Sequence, residues 1–342
     1  MLHNDILAGY CGRRRRPDSI RLRPDFFIYR FQTTSILKTI QSDRGALVLM
    51  SFTVLLWGFS WIVMKHMSNF IGPFDLVMAR YGLAFLVLLC ILLVTRHSLK
   101  FPPFWLTVGI AVFQTTAFQC LCQLALVSGG AGHVAMLAYT MPFWVVLFAW
   151  LMLGERPARR HVIAFVLAGA GLVAIIAPWQ GLGSVRGSLL ALGGGMSWGL
   201  GVVFSKIAFQ RRQADVLNMT MWQMFLGSVL TVPVALLLPQ RAVVWNADLF
   251  WGLAYMAVFA SALGWWLWLT VVQRVSATVA GMSSLGVPVL TVILAWLLLA
   301  ERPTVMELIG IAFIMAGLII INLAGGRRAG VEKKPHRSDA AS

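Results

Sequence analysis

The chain has 342 residues, of which 59% are apolar and only 12% charged, with a formal net charge of +16. A soluble domain carries about twice that share of charge, and a globule of this size still needs a polar skin. The composition excludes a secreted disulfide scaffold, a cytosolic enzyme and a nucleic-acid binder, and it leaves a membrane protein.

In chain order, residues 1–44 form a basic tail, either an arm at the anionic lipid surface or an over-long start with initiation nearer Met50. No cleavable signal is evident, because no apolar stretch follows Arg13–Arg16 until Ala46. Hydropathy then predicts ten spans over 45–67, 73–95, 104–127, 131–153, 158–178, 187–207, 215–238, 247–272, 277–299 and 305–324. Pro73, Gly129–Gly130, Pro157, Gly181–Gly183, Pro239 and Pro303 mark the loops. Residues 325–342 form a second basic tail.

Lys and Arg fix the orientation. With the N-terminus in the cytoplasm, 23 basic residues fall inside and four, Lys65, Arg186, Arg241 and Arg302, fall outside. Arg80 lies within the second span. An odd number of spans would carry the C-terminal basic residues across and spoil this asymmetry.

The two halves repeat. Trp57-Gly58 and Lys65 recur as Trp198-Gly199 and Lys206, and Arg80 and Ala84 align with Gln223 and Gly227. Pro142, Glu155-Arg156-Pro157 and Ala170-Gly171-Leu172 recur as Pro288, Glu301-Arg302-Pro303 and Ala316-Gly317-Leu318, all at an offset of 146. Each unit holds five spans, so the second enters the membrane from the opposite side. Such inverted repeats build many secondary transporters.

These motifs resemble the EamA-type repeat of the drug/metabolite transporter superfamily, in its two-repeat, ten-helix branch. The resemblance rests on the Trp-Gly pair of the first span, the Ala-Arg of the second and Gly154-Glu155-Arg156-Pro157. In the second half it rests on Ser197-Trp198-Gly199, Trp222-Gln223, Ser276-Ala277-Thr278 and Ala300-Glu301-Arg302-Pro303. It covers about residues 45–324. It implies an all-α membrane protein with repeats at 45–178 and 187–324 around a central cavity. Spans 1–4 and 6–9 would line the cavity, and spans 5 and 10 would pack outside it. It also implies a bacterial inner-membrane carrier of amino acids, related metabolites or drugs, usually outward. A lipid-handling protein or an importer of a small metabolite is the alternative.

Candidate solute-binding residues follow from polar or aromatic groups placed where lipid alone would surround them. Arg80 is an intramembrane charge, costing roughly 2.5–3.5 kcal/mol on insertion scales. It either faces the cavity, to meet a solute carboxylate or a helix C-terminus, or snorkels outward. Trp57 and Trp61 lie one turn apart on one face, and with Trp198 they form either an aromatic wall or packing bulk. Gln119 and Gln123 share a face of the third span and need polar partners; Trp265 stands at the position of Gln119 in the other half. Gln223 is the neutral counterpart of Arg80. Tyr139 is a hydrogen-bonding wall residue, with Ser283 at corresponding depth.

Pro142 and Pro288 each delete a backbone hydrogen bond and are expected to kink their helices. Glu155 and Glu301 end spans 4 and 9, as charged stops or as gate contacts. No mid-span carboxylate suggests a proton relay, and no nucleotide-binding loop suggests ATP drive, so a facilitator or exchanger is expected. No catalytic residue, metal site or cofactor is expected. The partners are the small-molecule solute and the lipid bilayer, and not nucleic acid. The sequence leaves monomer or homodimer open.

Overall fold

A computed structural model describes residues 43–156, 159–176, 185–211, 214–300 and 302–326, and all regular structure among them is helical. The first half contributes α1 (Asp43–Met67), α2 (Pro73–Val94), α3 (Phe104–Val127), α4 (Ala131–Leu153) and α5 (Arg159–Ile176). The second contributes α6 (Val185–Gln210), α7 (Val216–Leu237), α8 (Ala247–Arg274), α9 (Ala277–Leu299) and α10 (Val305–Gly326). Among the described residues eight helices, α1–α4 and α6–α9, are long and apolar enough to cross a membrane. Within α5 and α10 the apolar stretches are Val162–Gly171 and Leu308–Gly317.

Local chemistry sets the helix ends. Pro73 opens α2, where its missing N–H costs nothing. The side chains of Asp215, Asn246 and Ser276 accept from the backbone N–H groups of Asn218, Leu249 and Val279, capping α7, α8 and α9. Gly154 closes α4 in the left-handed region at φ +67°, and Ala300 closes α9 at φ +55°. Glycine takes that conformation freely and alanine does not.

Irregularities recur as well. A π-helical stretch interrupts α3 at Ala111–Ala117 and α8 at Met256–Leu263. Helix α4 breaks at Tyr139–Thr140, and α9 breaks at Ser284–Leu285. These breaks correct the expectation of a kink at Pro142 and Pro288. Each proline sits in the first turn of a fresh helix, where the backbone N–H has no partner to lose.

Packing between the halves follows the same rule. A Cβ added to Gly58 on α1 would lie 2.7 Å from Leu290 of α9, and one added to Gly199 on α6 would lie 2.8 Å from Trp144 of α4. Helices α5 and α10 cross at Gly171, against the Gly310 carbonyl, and at Gly317, against the Ala164 carbonyl. Small residues permit these close crossings.

Paired lysines tie each half internally. Lys65 Nζ on α1 donates to the Leu126 and Gly129 carbonyls at 3.0 and 2.8 Å, at the end of α3. Lys206 Nζ on α6 donates to the Val272 and Val275 carbonyls at 3.2 and 2.6 Å, at the end of α8. An ammonium at a helix C-terminus satisfies carbonyls that have no intrahelical partner.

Loops gather at two ends. At one, Arg241 donates to the Ser68 and Asn69 carbonyls and His66 meets Asp248 at 3.4 Å. At the other, Asn218 and Trp222 donate to the Lys100 and Leu99 carbonyls.

Candidate solute site

The α4 break at Tyr139 lies on a buried cavity, and the π stretches of α3 and α8 end one and two residues before its Phe118 and Trp265. Its wall from the first half is Trp57, Ser60, Trp61 and Met64 of α1, Arg80 of α2, Phe118 and Gln119 of α3, and Tyr139 at the α4 break. The second half supplies Trp198 of α6 and Trp265 of α8. Each of these side chains is at most 5% exposed. The cavity volume is about 20 Å³, room for a water molecule and far too little for an amino acid.

The aromatic part is a cluster rather than a sheet. The Trp57 ring lies 5.4 Å from Trp198, 5.1 Å from Trp265 and 5.6 Å from Trp268. Tyr139 meets Trp198 edge-on at 5.2 Å, and Trp61 meets Tyr139 at 6.4 Å. Tilted and edge-on arrangements suit ring quadrupoles. The Trp57 indole N–H donates to the Ala260 carbonyl at 2.9 Å, in the π stretch of α8, where the altered ladder frees carbonyls. The indole N–H groups of Trp198 and Trp268 are buried without a partner.

Arg80 is 2% exposed and does not snorkel. Its Nε donates to Ser261 Oγ at 2.9 Å, and its Nη1 reaches Met64 Sδ at 3.2 Å and Gln119 Oε1 at 3.3 Å. The guanidinium carbon also lies 5.1 Å from the centre of the Tyr81 ring. Among the described residues no carboxylate is within ion-pair distance of it.

The mirrored position uses the same geometry without the charge. Gln223 Nε2 on α7 donates to Thr115 Oγ1 in the π stretch of α3 at 2.8 Å. In both cases a polar group on the second helix of one half meets a hydroxyl on the third helix of the other.

Seven expected residues therefore meet in one place: Trp57, Trp61, Arg80, Gln119, Tyr139, Trp198 and Trp265. Three of the expected residues, Gln223, Gln123 and Ser283, do not line this cavity. Gln223 is spent on Thr115. Gln123 is buried one turn beyond Gln119, its Nε2 without a partner, because the wall ends at Gln119. Ser283 is half-buried at the α9 break. Ser60, Met64, Phe118 and the arginine-holding Ser261 were not among the expected residues.

Glu155 sits at the end of α4, where Thr278 Oγ1 lies 3.5 Å from its Oε2. Glu301 lies outside the described residues.

The sequence profile of the EamA-like transporter family matches residues 44–177 and again 185–323. The chain belongs to the EamA-like transporter family. It is 29% identical to the uncharacterized transporter YvbV of Bacillus subtilis (strain 168), over 84% of this chain and 94% of that one. It is 28% identical to a probable amino-acid metabolite efflux pump of Salmonella typhimurium (strain LT2), over 80% of this chain and 93% of the other. An Escherichia coli (strain K12) protein of the same description is 26% identical over 80% of this chain and 93% of its own. A solved crystal structure superposes with a TM-score of 0.69 over 84% of this chain and 99% of its own, at 20% identity, a likeness of fold alone. The EamA-like chain is thus a multi-pass membrane transporter with bacterial relatives.

Proposed function

We propose that this transporter exports small organic solutes such as amino acids, related metabolites or drugs across the bacterial inner membrane by alternating access. The reading includes ten spans in two inverted five-helix repeats, with both termini cytoplasmic. The observation that carries it is the closed cavity, to which both halves contribute and in which polar and aromatic groups are buried together. Two halves that rock against each other need a shared site of this kind.

The basic residues support the orientation. Arg44, Arg96, Lys100, Arg156, Arg159, Arg160, Lys206, Arg211 and Arg274 stand at or near helix ends on the side read as cytoplasmic, against Lys65, Arg186, Arg241 and Arg302 on the other. The efflux-pump relatives support the outward direction. Glu155, beside Thr278, is placed to make a gate contact at the cytoplasmic end. Asp75, Asp215 and Asp248 stand in helix first turns or caps rather than mid-helix, which favours facilitation or exchange down the solute gradient.

The test is efflux from cells overproducing the chain and preloaded with labelled amino acids and aromatic metabolites. At least one solute is expected to leave several-fold faster than from vector cells, and Trp61→Ala is expected to remove the difference. A panel that leaves at the vector rate throughout contradicts the export reading.

A further inference from the structure

The cavity wall is unbalanced in charge. Arg80 brings one full positive charge, held by Ser261, Met64 and Gln119, all neutral. No Asp or Glu lines the cavity, and among the described residues none pairs with the guanidinium. The remaining polar groups do not offset it. Ser60 gives its proton to the Trp57 carbonyl at 2.8 Å, and the Trp198 indole adds a donor with no protein acceptor.

A buried charge is tolerated when it is paired, and neutral dipoles compensate it only in part. The solute's own charge then decides how well the loaded, closed site is balanced. A monoanion makes site and solute neutral together. A zwitterion leaves one positive charge, and an amine adds a second. Tryptophan faces attract an ammonium, but that attraction is small beside a second cation in the same low-dielectric pocket as a guanidinium.

We infer that the site selects a monocarboxylate with an aromatic or bulky apolar body and no free amine, such as an arylalkanoate or an N-acylated amino acid, over the free amino acid. This rests on the transport reading above and narrows it. The carboxylate pairs with Arg80 through charge-assisted hydrogen bonds, and the apolar body sits among Trp57, Trp61, Trp198 and Trp265. Ser261 and Gln119 act as positioning residues, because they hold the guanidinium from α8 and α3.

The experiment uses three labelled compounds that share one ring: 3-phenylpropionate, L-phenylalanine and phenethylamine. Their equilibrium binding is measured on the full chain in nanodiscs. The acid is expected to bind at least tenfold tighter than phenylalanine, with phenethylamine weakest. Arg80→Gln is expected to abolish that order and Arg80→Lys to keep it. Where Arg80→Gln does not fold, Ser261→Ala serves: it is expected to weaken the acid about fivefold while leaving phenylalanine within twofold, and Ser261→Thr is expected to restore it. Phenylalanine binding as tightly as the acid, an order that survives loss of Arg80, or binding of none of the three overturns the inference. Acid-selective binding without flux of any solute counts against transport and not against this selectivity. Flux of a zwitterion unaffected by Arg80→Gln does the reverse.

Discussion

Arg80 and Gln223 hold matching places in the two halves and reach across to matching hydroxyls, on Ser261 and Thr115. Lys65 and Lys206 cap matching helices, and the π stretches fall at matching depth in α3 and α8. The frame is therefore common to both halves, while what each half brings to the cavity differs. The first supplies the charge and the amide, through Arg80 and Gln119. The second supplies Trp265 where Gln119 stands in the first, and it keeps Gln223 off the wall. The repeated unit sets the helix breaks and close crossings twice. A few substitutions in one copy then turn a symmetric scaffold into an asymmetric site.

The largest effect separates the two matched polar residues. Arg80→Gln is expected to lower transport of a carboxylate solute about 100-fold, close to 2.7 kcal/mol, whereas Gln223→Ala changes it less than threefold. Equal losses in counterflow assays on proteoliposomes would erase the proposed asymmetry.

Next come the close crossings. Gly199→Ala forces its Cβ against Trp144 Cβ at 2.8 Å and the Val145 backbone nitrogen at 3.2 Å, whereas Gly58→Ala meets the flexible Leu290 side chain. Overpacking of this kind costs about 1–3 kcal/mol, so Gly199→Ala is expected near about 2 and Gly58→Ala near about 1. Thermal unfolding in detergent reads both.

The lysine caps test the common frame. Lys65→Met and Lys206→Met each remove two hydrogen bonds to terminal carbonyls and are expected to cost about 1–2 kcal/mol apiece. Similar drops in melting temperature support equivalent clamps, and a drop in one variant alone contradicts them.

The smallest effect is at the α4 and α9 ends. Ala300→Gly is expected to stabilise by about 0.5–1 kcal/mol and Gly154→Ala to destabilise by about 1 kcal/mol. No atom lies within 4 Å of the Cβ that alanine would add at Gly154, so backbone strain alone decides this pair.

Much of this was legible in the sequence. Long apolar stretches and their Pro and Gly punctuation place the helices to within a few residues, because a bilayer leaves little choice of secondary structure. Seven wall residues were legible because Arg, Gln, Tyr and Trp are conspicuous within apolar stretches. Ser261 was not conspicuous, since a lone Ser is common in membrane helices. The repeat carried a usable signal, for Ser261 aligns with Thr115, one turn before Gln119 on α3. The π stretches were illegible, because their letters, Ala, Val, Phe, Met and Leu among them, are those of ordinary helix. The helix breaks at Tyr139–Thr140 and Ser284–Leu285 were half-legible. Proline announces a disturbance, but only packing decides between a bend and a fresh helix start.

The most direct test of the central account is thiol access to the cavity from each face. Ser60 lines the cavity at 4% exposure, and Ser60→Cys, in a background with Cys11, Cys90, Cys120 and Cys122 replaced, places one reporter there. A membrane-impermeant thiol reagent is applied to right-side-out and to inside-out vesicles. The account predicts labelling in both orientations, slowed by bound solute. Labelling from one face only, or undiminished by any transported solute, would contradict a single site opened alternately to the two sides.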